Sequence, residues 1–199
     1  KCRISQPSDY EKILNSVKVI ANRNQRKEDI RKQLSQLFEN KDEEVLEDEK
    51  LLDVVTDLVE FPTACIANFD GKYLSLPEKI ITATLTQNQK CFAVINKTSG
   101  KLVNKFVFIS NGNPEFTELI KSGNEKVIVP RLEDAEFYYN EDIKKPLENY
   151  YEKLNEVLFQ KDLGTIKEKT DRIVRISTFL ADLLKLEDKA KQEIIRTAL

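Results

Sequence analysis

CFAVINKTSGKLVNKFVFIS, residues 91–110, sets two short apolar runs on either side of a polar Lys-Thr-Ser-Gly. FAVIN and LVNKFVFIS are rich in β-branched and aromatic residues, and a turn-forming segment separates them. They predict a β-hairpin over 91–109. TACIANF, from residue 63, reads as a further strand, and Pro62 just before it closes a helical pattern.

Upstream, Ser8 is placed to cap a helix over 8–21 that carries Tyr10, Ile13, Leu14 and Val17 at helical spacing. Ile30, Leu34, Leu37 and Phe38 mark a second amphipathic helix, with Arg26, Lys27, Arg31 and Lys32 on its other face. That basic face could touch phosphate, but Glu28 and Asp29 interleave it and favour a solvated surface. NKDEEVLEDEK, residues 40–50, reads as an acidic loop feeding a helix with Leu51, Leu52, Val55, Leu58 and Val59. It has no DxDxDG spacing, and its carboxylates suit a helix N-terminal turn better than a cation. Leu76–Gln87 predicts a short helix with Pro77 near its start, and NGNPEF a turn into helix around Glu115–Ser122.

Downstream of Pro130 the spacing is helical again. Leu132, Ala135, Tyr139 and Ile143 share a face as far as Pro146. Leu147, Tyr150, Tyr151, Leu154, Val157 and Leu158 predict a second helix, and Ile173, Ile176, Leu180, Leu183 and Leu184 a third beyond Gly164. The expected fold class is α+β: an N-terminal helical region over 1–60, a small mixed or antiparallel β unit over 61–130, and a C-terminal helical region over 131–199.

Composition narrows the chemistry. The 199 residues contain 32 Lys and Arg against 34 Asp and Glu, so no global basic field exists and any nucleic-acid contact must be local. Histidine is absent, which removes Ser-His-Asp and Cys-His catalysis, histidine metal ligands and HD-type phosphohydrolase chemistry. Five glycines supply neither a GxGxxG nor a Walker loop. Cys2, Cys65 and Cys91 are widely spaced without a CxxC, and the latter two lie in apolar runs, as small core residues do. No stretch approaches the length of a membrane span and no signal-peptide core is evident, so a soluble intracellular protein is expected. Methionine is also absent, and IIRTAL reads as helix to the last residue, so a segment of a larger protein is expected.

Residues 123–150, GNEKVIVPRLEDAEFYYNEDIKKPLENY, concentrate charge and aromatics. Glu133 and Glu136 are helical neighbours with the spacing of an acid–base pair, although nothing in the sequence supplies a pocket. Phe137, Tyr138 and Tyr139 suit either base stacking or core packing, with packing favoured. The cations Lys126, Arg131, Lys144, Lys145, Lys161, Lys167, Lys169, Arg172 and Arg175 could line one surface if the helices fold back on each other.

This stretch, followed by VLFQKDLGTIKEKTDRI, closely resembles the beta subunit of bacterial-type glycyl-tRNA synthetase. The shared series is GNE-(K/R)-V, PRL-x-DA-x-FF/FY, D-x-KK-x-L, (V/F)-FQ-x-x-LGT and DK-(T/S)-x-RI. The likeness extends back through GKLVNKFVFISNGN, LPEKIITATLTQNQKCF and LLDVVTDLVEFP, and weakly to SDYEKILNSVKVIANRNQRKEDI, covering essentially the whole chain. Departures are Cys91 where tyrosine is usual, Leu85 where methionine is common, and Glu168 in place of the aspartate of the DK pair.

The resemblance implies a cytoplasmic heterotetramer of two alpha and two beta subunits that joins glycine to its tRNA using ATP. In that family the alpha subunit holds the adenylate site, while the beta subunit recognises tRNA and supports assembly. The chain would then be an internal piece with no active site or cofactor of its own: a module similar to the B3/B4 domain of phenylalanyl-tRNA synthetase plus the first helices of an HD-like domain. Its implied partners are the alpha subunit, glycine tRNA and the rest of the beta subunit, with no membrane. The candidates for phosphate contact are Lys144, Lys145, Arg172 and Arg175, with Arg131 equally suited to an ion pair with Glu133 or Asp134. The alternative is an assembly module that binds the alpha subunit and never touches RNA.

Overall fold

A computed structural model describes residues 4–111 and 114–199, which form two compact units, one reaching to Tyr139 and the other running from Asn140 to Leu199. The fold class is α+β, as the sequence pattern indicates.

In the first unit a 3-10 turn at Pro7–Asp9 leads into helix α1, Tyr10–Ser16. It is shorter than the expected 8–21 because Lys18 turns the backbone to φ 61. Helix α2, Arg23–Leu37, starts at Asn22, whose side chain accepts hydrogen bonds from the Asn24 and Gln25 amides. The acidic run expected as loop contains strand β1, Glu43–Val45, before Asp48 caps helix α3, Glu49–Leu58. Strand β2, Thr63–Asn68, follows Pro62. A 3-10 turn at Gly71–Ser75, helix α4 at Glu78–Ala83 and a π turn at Thr84–Asn88 lead to strands β3, Phe92–Asn96, and β4, Leu102–Ser110. The turn expected over NGNPEF falls partly on residues 112 and 113, outside the described residues.

The four strands order as β1-β3-β4-β2, all antiparallel. The hairpin quoted first is thus the centre of the sheet. Gly100 closes its turn with φ 68, a conformation that a β-carbon disfavours. Strand β4 shows the two-residue period plainly: Phe106 and Phe108 face one core cluster while Val107 and Ile109 face the other. The first cluster joins Tyr73, Ile81, Leu85 and Cys91 to Ile128 and Leu132. The second joins Ile30 of α2 and Leu52 and Val55 of α3 to Phe92 and Val94. Helices therefore cover both faces, which explains why the strands read as near-continuous apolar runs.

The free edge of β2 is closed by side chains. Gln33 donates to the Pro62 carbonyl at 3.0 Å and accepts from the Ala64 amide at 2.9 Å. Farther along, the Asn68 amide donates to Glu125 Oε1 at 3.0 Å.

Helix α5 runs without a break over Thr117–Asp142, with Pro130 inside it. This corrects the reading in which helix resumed only at Pro130. A proline removes one intrahelical donor and crowds the preceding turn, but Ile128 and Leu132, buried in the core on either side, hold the helix through it.

The second unit corrects the helix expected from Leu147 to Leu158. Residues Leu147–Glu156 form 3-10 turns, and Leu158–Gln160 is strand β5, paired antiparallel with β6, Gly164–Thr165. The apolar spacing of three fits a 3-10 turn as well as an α-helix, and pairing across the hairpin draws the chain into a strand, with the Ile166 amide donating to the Val157 carbonyl at 2.8 Å. Helices α6, Ile166–Leu183, and α7, Asp188–Ala198, complete the unit. Among its described residues only Thr170 and Ala181 are buried.

Candidate nucleic-acid interface

The five candidate cations have different surroundings. Lys144 and Lys145 follow the end of α5 and are exposed; Lys144 is paired with Glu141, whereas Lys145 makes no ion pair among the described residues. Arg172, on α6, is half-buried and donates from Nη2 to the Leu163 carbonyl at 2.9 Å, so it ties the hairpin turn to the helix. Arg175, one turn on, is exposed and has no ion pair among the described residues. No hydrogen bond or ion pair among the described residues joins the lysine pair to the arginine pair. Arg131 lies exposed on the part of α5 that belongs to the first unit, and forms no ion pair with Glu133 or Asp134.

Two lysines are held by rings that sequence reading did not connect to them. Lys167 sits 4.6 Å from the centroid of Tyr151 and Lys169 4.3 Å from that of Phe159. Tyr151 donates to Asp171, a bond that raises the phenol above its usual range. At Lys167, desolvation pulls the ammonium down, but Asp171 and Glu152 outweigh it and the net shift is upward. Lys167 and Asp171 are i,i+4 neighbours on α6, but Tyr151 and Glu152 reach them from before the β5–β6 hairpin, a pairing that linear spacing does not reveal.

The LGT fingerprint has a geometric cause. Gly164 adopts φ 77, and a β-carbon there would lie 1.7 Å from Glu168 Oε2. Thr165 caps α6 by accepting from the Glu168 amide, while the Glu168 carboxylate accepts from the Thr165 amide at 2.6 Å. A glutamate at the third helical position is what this reciprocal cap requires, so the departure from aspartate at 168 suits the local structure.

The basic face of α2 is engaged within the fold. Arg23 reaches Asp53 and Asp57, Lys27 reaches Glu49 and Asp53, and Arg31 pairs with Glu28 and Glu49. Arg26 donates to the carbonyls of Ile20, Ala21 and Thr56. Hydrogen bonds from Lys27 and then Arg23 hold Asp53 below the ordinary carboxylate range, and that from Arg23 does the same for Asp57.

Glu133 is exposed and Glu136 half-buried on α5, and neither lines the cleft of about 250 Å³ bounded by Arg31, Phe38, Glu44, Glu47, Leu52 and Phe92. Among the described residues no three His, Cys, Asp or Glu side chains gather as metal ligands. Phe137 and Tyr138 were expected to pack; instead they are 59% and 64% exposed, in edge-on contact, and only Tyr139 reaches the core. Three adjacent positions span most of a helical turn, so one core face cannot take all three rings. Cys65 and Cys91 are buried, and burial pushes the Cys91 thiol up to about 12. Helix α6 leaves Ile176, Phe179, Leu180, Leu183 and Leu184 exposed. No helix among the described residues is long and apolar enough to cross a membrane.

Fold and surface together define an α+β segment with exposed cations and an uncovered apolar helix. The family model for the glycyl-tRNA synthetase beta subunit matches residues 1–199, and the chain belongs to that family. It is similar to the glycine–tRNA ligase beta subunit of Dictyoglomus turgidum, 40% identical over 193 residues, covering 97% of this chain and 28% of the relative. The Listeria monocytogenes serotype 4a beta subunit gives the same identity and coverage. That of Oenococcus oeni is 38% identical over 198 residues, covering 100% of this chain and 29% of the relative. The chain thus spans less than a third of the length of these relatives.

Proposed function

We propose that the chain is a non-catalytic internal part of the beta subunit of a glycine–tRNA ligase, contributing to tRNA recognition and to assembly with the alpha subunit in ATP-dependent glycyl-tRNA formation in the cytoplasm. ATP is used by the alpha subunit of the heterotetramer, and this segment needs no cofactor. On this reading residues 1–60 are an N-terminal helical region, residues 61–130 a B3/B4-like module and residues 131–199 the start of an HD-like helical domain.

The observation that carries the proposal is the pairing, in the second unit, of exposed cations with the uncovered apolar face of α6. Lys145 and Arg175 suit phosphate, because each offers a charge that no carboxylate among the described residues neutralises. Lys144 and Arg172 would have to leave Glu141 and the Leu163 carbonyl first. A pure scaffold that binds the alpha subunit without RNA contact is the second reading, favoured by that same apolar face.

The test is a filter-binding titration of glycine tRNA against the full heterotetramer at two salt concentrations, comparing the parent with a Lys145→Glu, Arg175→Glu double variant. Phosphate contact requires weaker binding and a salt slope shallower by roughly one per lost contact. Unchanged affinity and slope would leave the scaffold reading.

A further inference from the structure

We propose that the cleft between α2, β1 and α3 binds a small organic cation, an ammonium or guanidinium carried on a short apolar body. The sheet ends at β1, only three residues long, and the space between that strand and the two helices stays open to about 250 Å³. Leu34, Phe38, Val45, Leu52 and Phe92 line it. Phe38, Leu52 and Phe92 are 3%, 4% and 2% exposed and belong to the core beneath, while Leu34 and Val45 are half-buried. Core side chains thus form the wall of an open cleft, where an apolar ligand body gains burial.

Charge selects the sign of the ligand. Arg31, Lys97, Glu44, Glu47, Asp48 and Glu49 also line the cleft, four carboxylates against two cations. Both cations are engaged within the fold. Arg31 pairs with Glu28 and, at 2.8 Å, with Glu49, and the Lys97 ammonium donates to the Lys41 carbonyl at 2.9 Å. The Asp48 carboxylate accepts from the Leu51 amide. That leaves Glu44 and Glu47, both exposed, whose carboxylates make no hydrogen bond or ion pair among the described residues. An anion would meet cations already satisfied and carboxylates that are not, whereas a cation meets the reverse.

Size sets the class. The volume lies below the roughly 300–1,000 Å³ of sites for drug-sized ligands, so a single ring or a short chain fits and a nucleotide does not. The cleft lies in the first unit and is lined by none of the five cations considered for tRNA, so the proposal stands independently of RNA contact.

Equilibrium dialysis against the full-length heterotetramer tests it, with phenethylammonium as the probe and uncharged 2-phenylethanol and anionic phenylacetate as comparators. Saturable binding of the ammonium is expected, with a Kd of about 1 mM or tighter, and both comparators are expected to bind at least fivefold more weakly. The double variant Glu44→Gln, Glu47→Gln is expected to weaken the ammonium at least fivefold and to leave the alcohol unchanged. Its two carboxylates are exposed and unpaired, so the fold does not depend on them. Ser35→Trp, at an exposed position of α2 that lines the cleft, is expected to abolish binding by filling it. Absence of saturable binding overturns the proposal, as does equal or tighter binding of the anion. Ammonium binding that either variant leaves at full strength belongs elsewhere on the assembly and also overturns it.

Discussion

Lys27 Nζ lies 2.9 Å from Asp53 Oδ1, at the middle of a ladder in which Arg23, Lys27 and Arg31 of α2 meet Asp57, Asp53 and Glu49 of α3. Both series advance by one turn per step, so the two antiparallel helices keep register. The carboxylates titrate below their ordinary values in the fold, chiefly through these hydrogen bonds. A lowered carboxylate contributes stability that is present above its unfolded pKa and lost as pH falls through the folded one. Lys27, raised, contributes below its ordinary 10.5 and loses that contribution above it. Urea unfolding between pH 7 and pH 3 should therefore show a shallower acid loss in a Lys27→Gln, Asp53→Asn variant than in the parent. Parallel pH profiles would show the ladder to be energetically idle.

Ile30 is fully buried between α2, α3 and the sheet. Ile30→Ala should cost about 2–5 kcal/mol, from lost burial and an incompletely filled cavity. A midpoint shift in denaturant at constant slope checks this; a loss under about 1 kcal/mol would mean that the cluster does not anchor the helices.

Gly164→Ala places a β-carbon in left-handed backbone, at about 1–2 kcal/mol, and expels Glu168 from its cap. Thr165→Ala removes only the cap, at about 1 kcal/mol. Hydrogen exchange at the Glu168 amide should accelerate roughly fivefold in the second variant and more in the first. Exchange in both variants indistinguishable from the parent would remove the cap from the account of the LGT fingerprint.

Gln33→Ala leaves the Pro62 carbonyl and the Ala64 amide without their partner, at about 1–3 kcal/mol. It also bares the edge of β2 for pairing with another chain. Light scattering should detect concentration-dependent association in the variant and not in the parent.

The centre of the sheet was legible because FAVIN, the turn and LVNKFVFIS carry local signals that agree with the tertiary answer. Strand β1 was hidden: its Glu43 and Glu44 suit a short exposed edge, and charge on an edge strand looks like charge in a loop. The continuity of helix α5 through Pro130 is not legible in the sequence, because the residues that hold it through the proline do so by contacts distant in sequence. Leu147–Glu156 reads as α-helix because spacings of three and four do not separate 3-10 turns from α-helix when the deciding contact is a hairpin farther on. Among the site residues, Lys145 and Arg175 are as exposed as charge alone suggests. The engagements of Lys144 and Arg172 depend on geometry that only the folded chain supplies.

The reciprocal cap on α6 has an electrostatic consequence. A helix N-terminus, with unpaired amides and the positive end of the backbone dipole, is where a phosphate oxygen would ordinarily settle. Here the chain's own Glu168 carboxylate sits over the Thr165 amide at the cap. The cap of α6 therefore presents a carboxylate where a phosphate oxygen would otherwise bind, and any attraction for a polyanion at that end has to come from the side chains of Lys167 and Lys169 and not from the backbone.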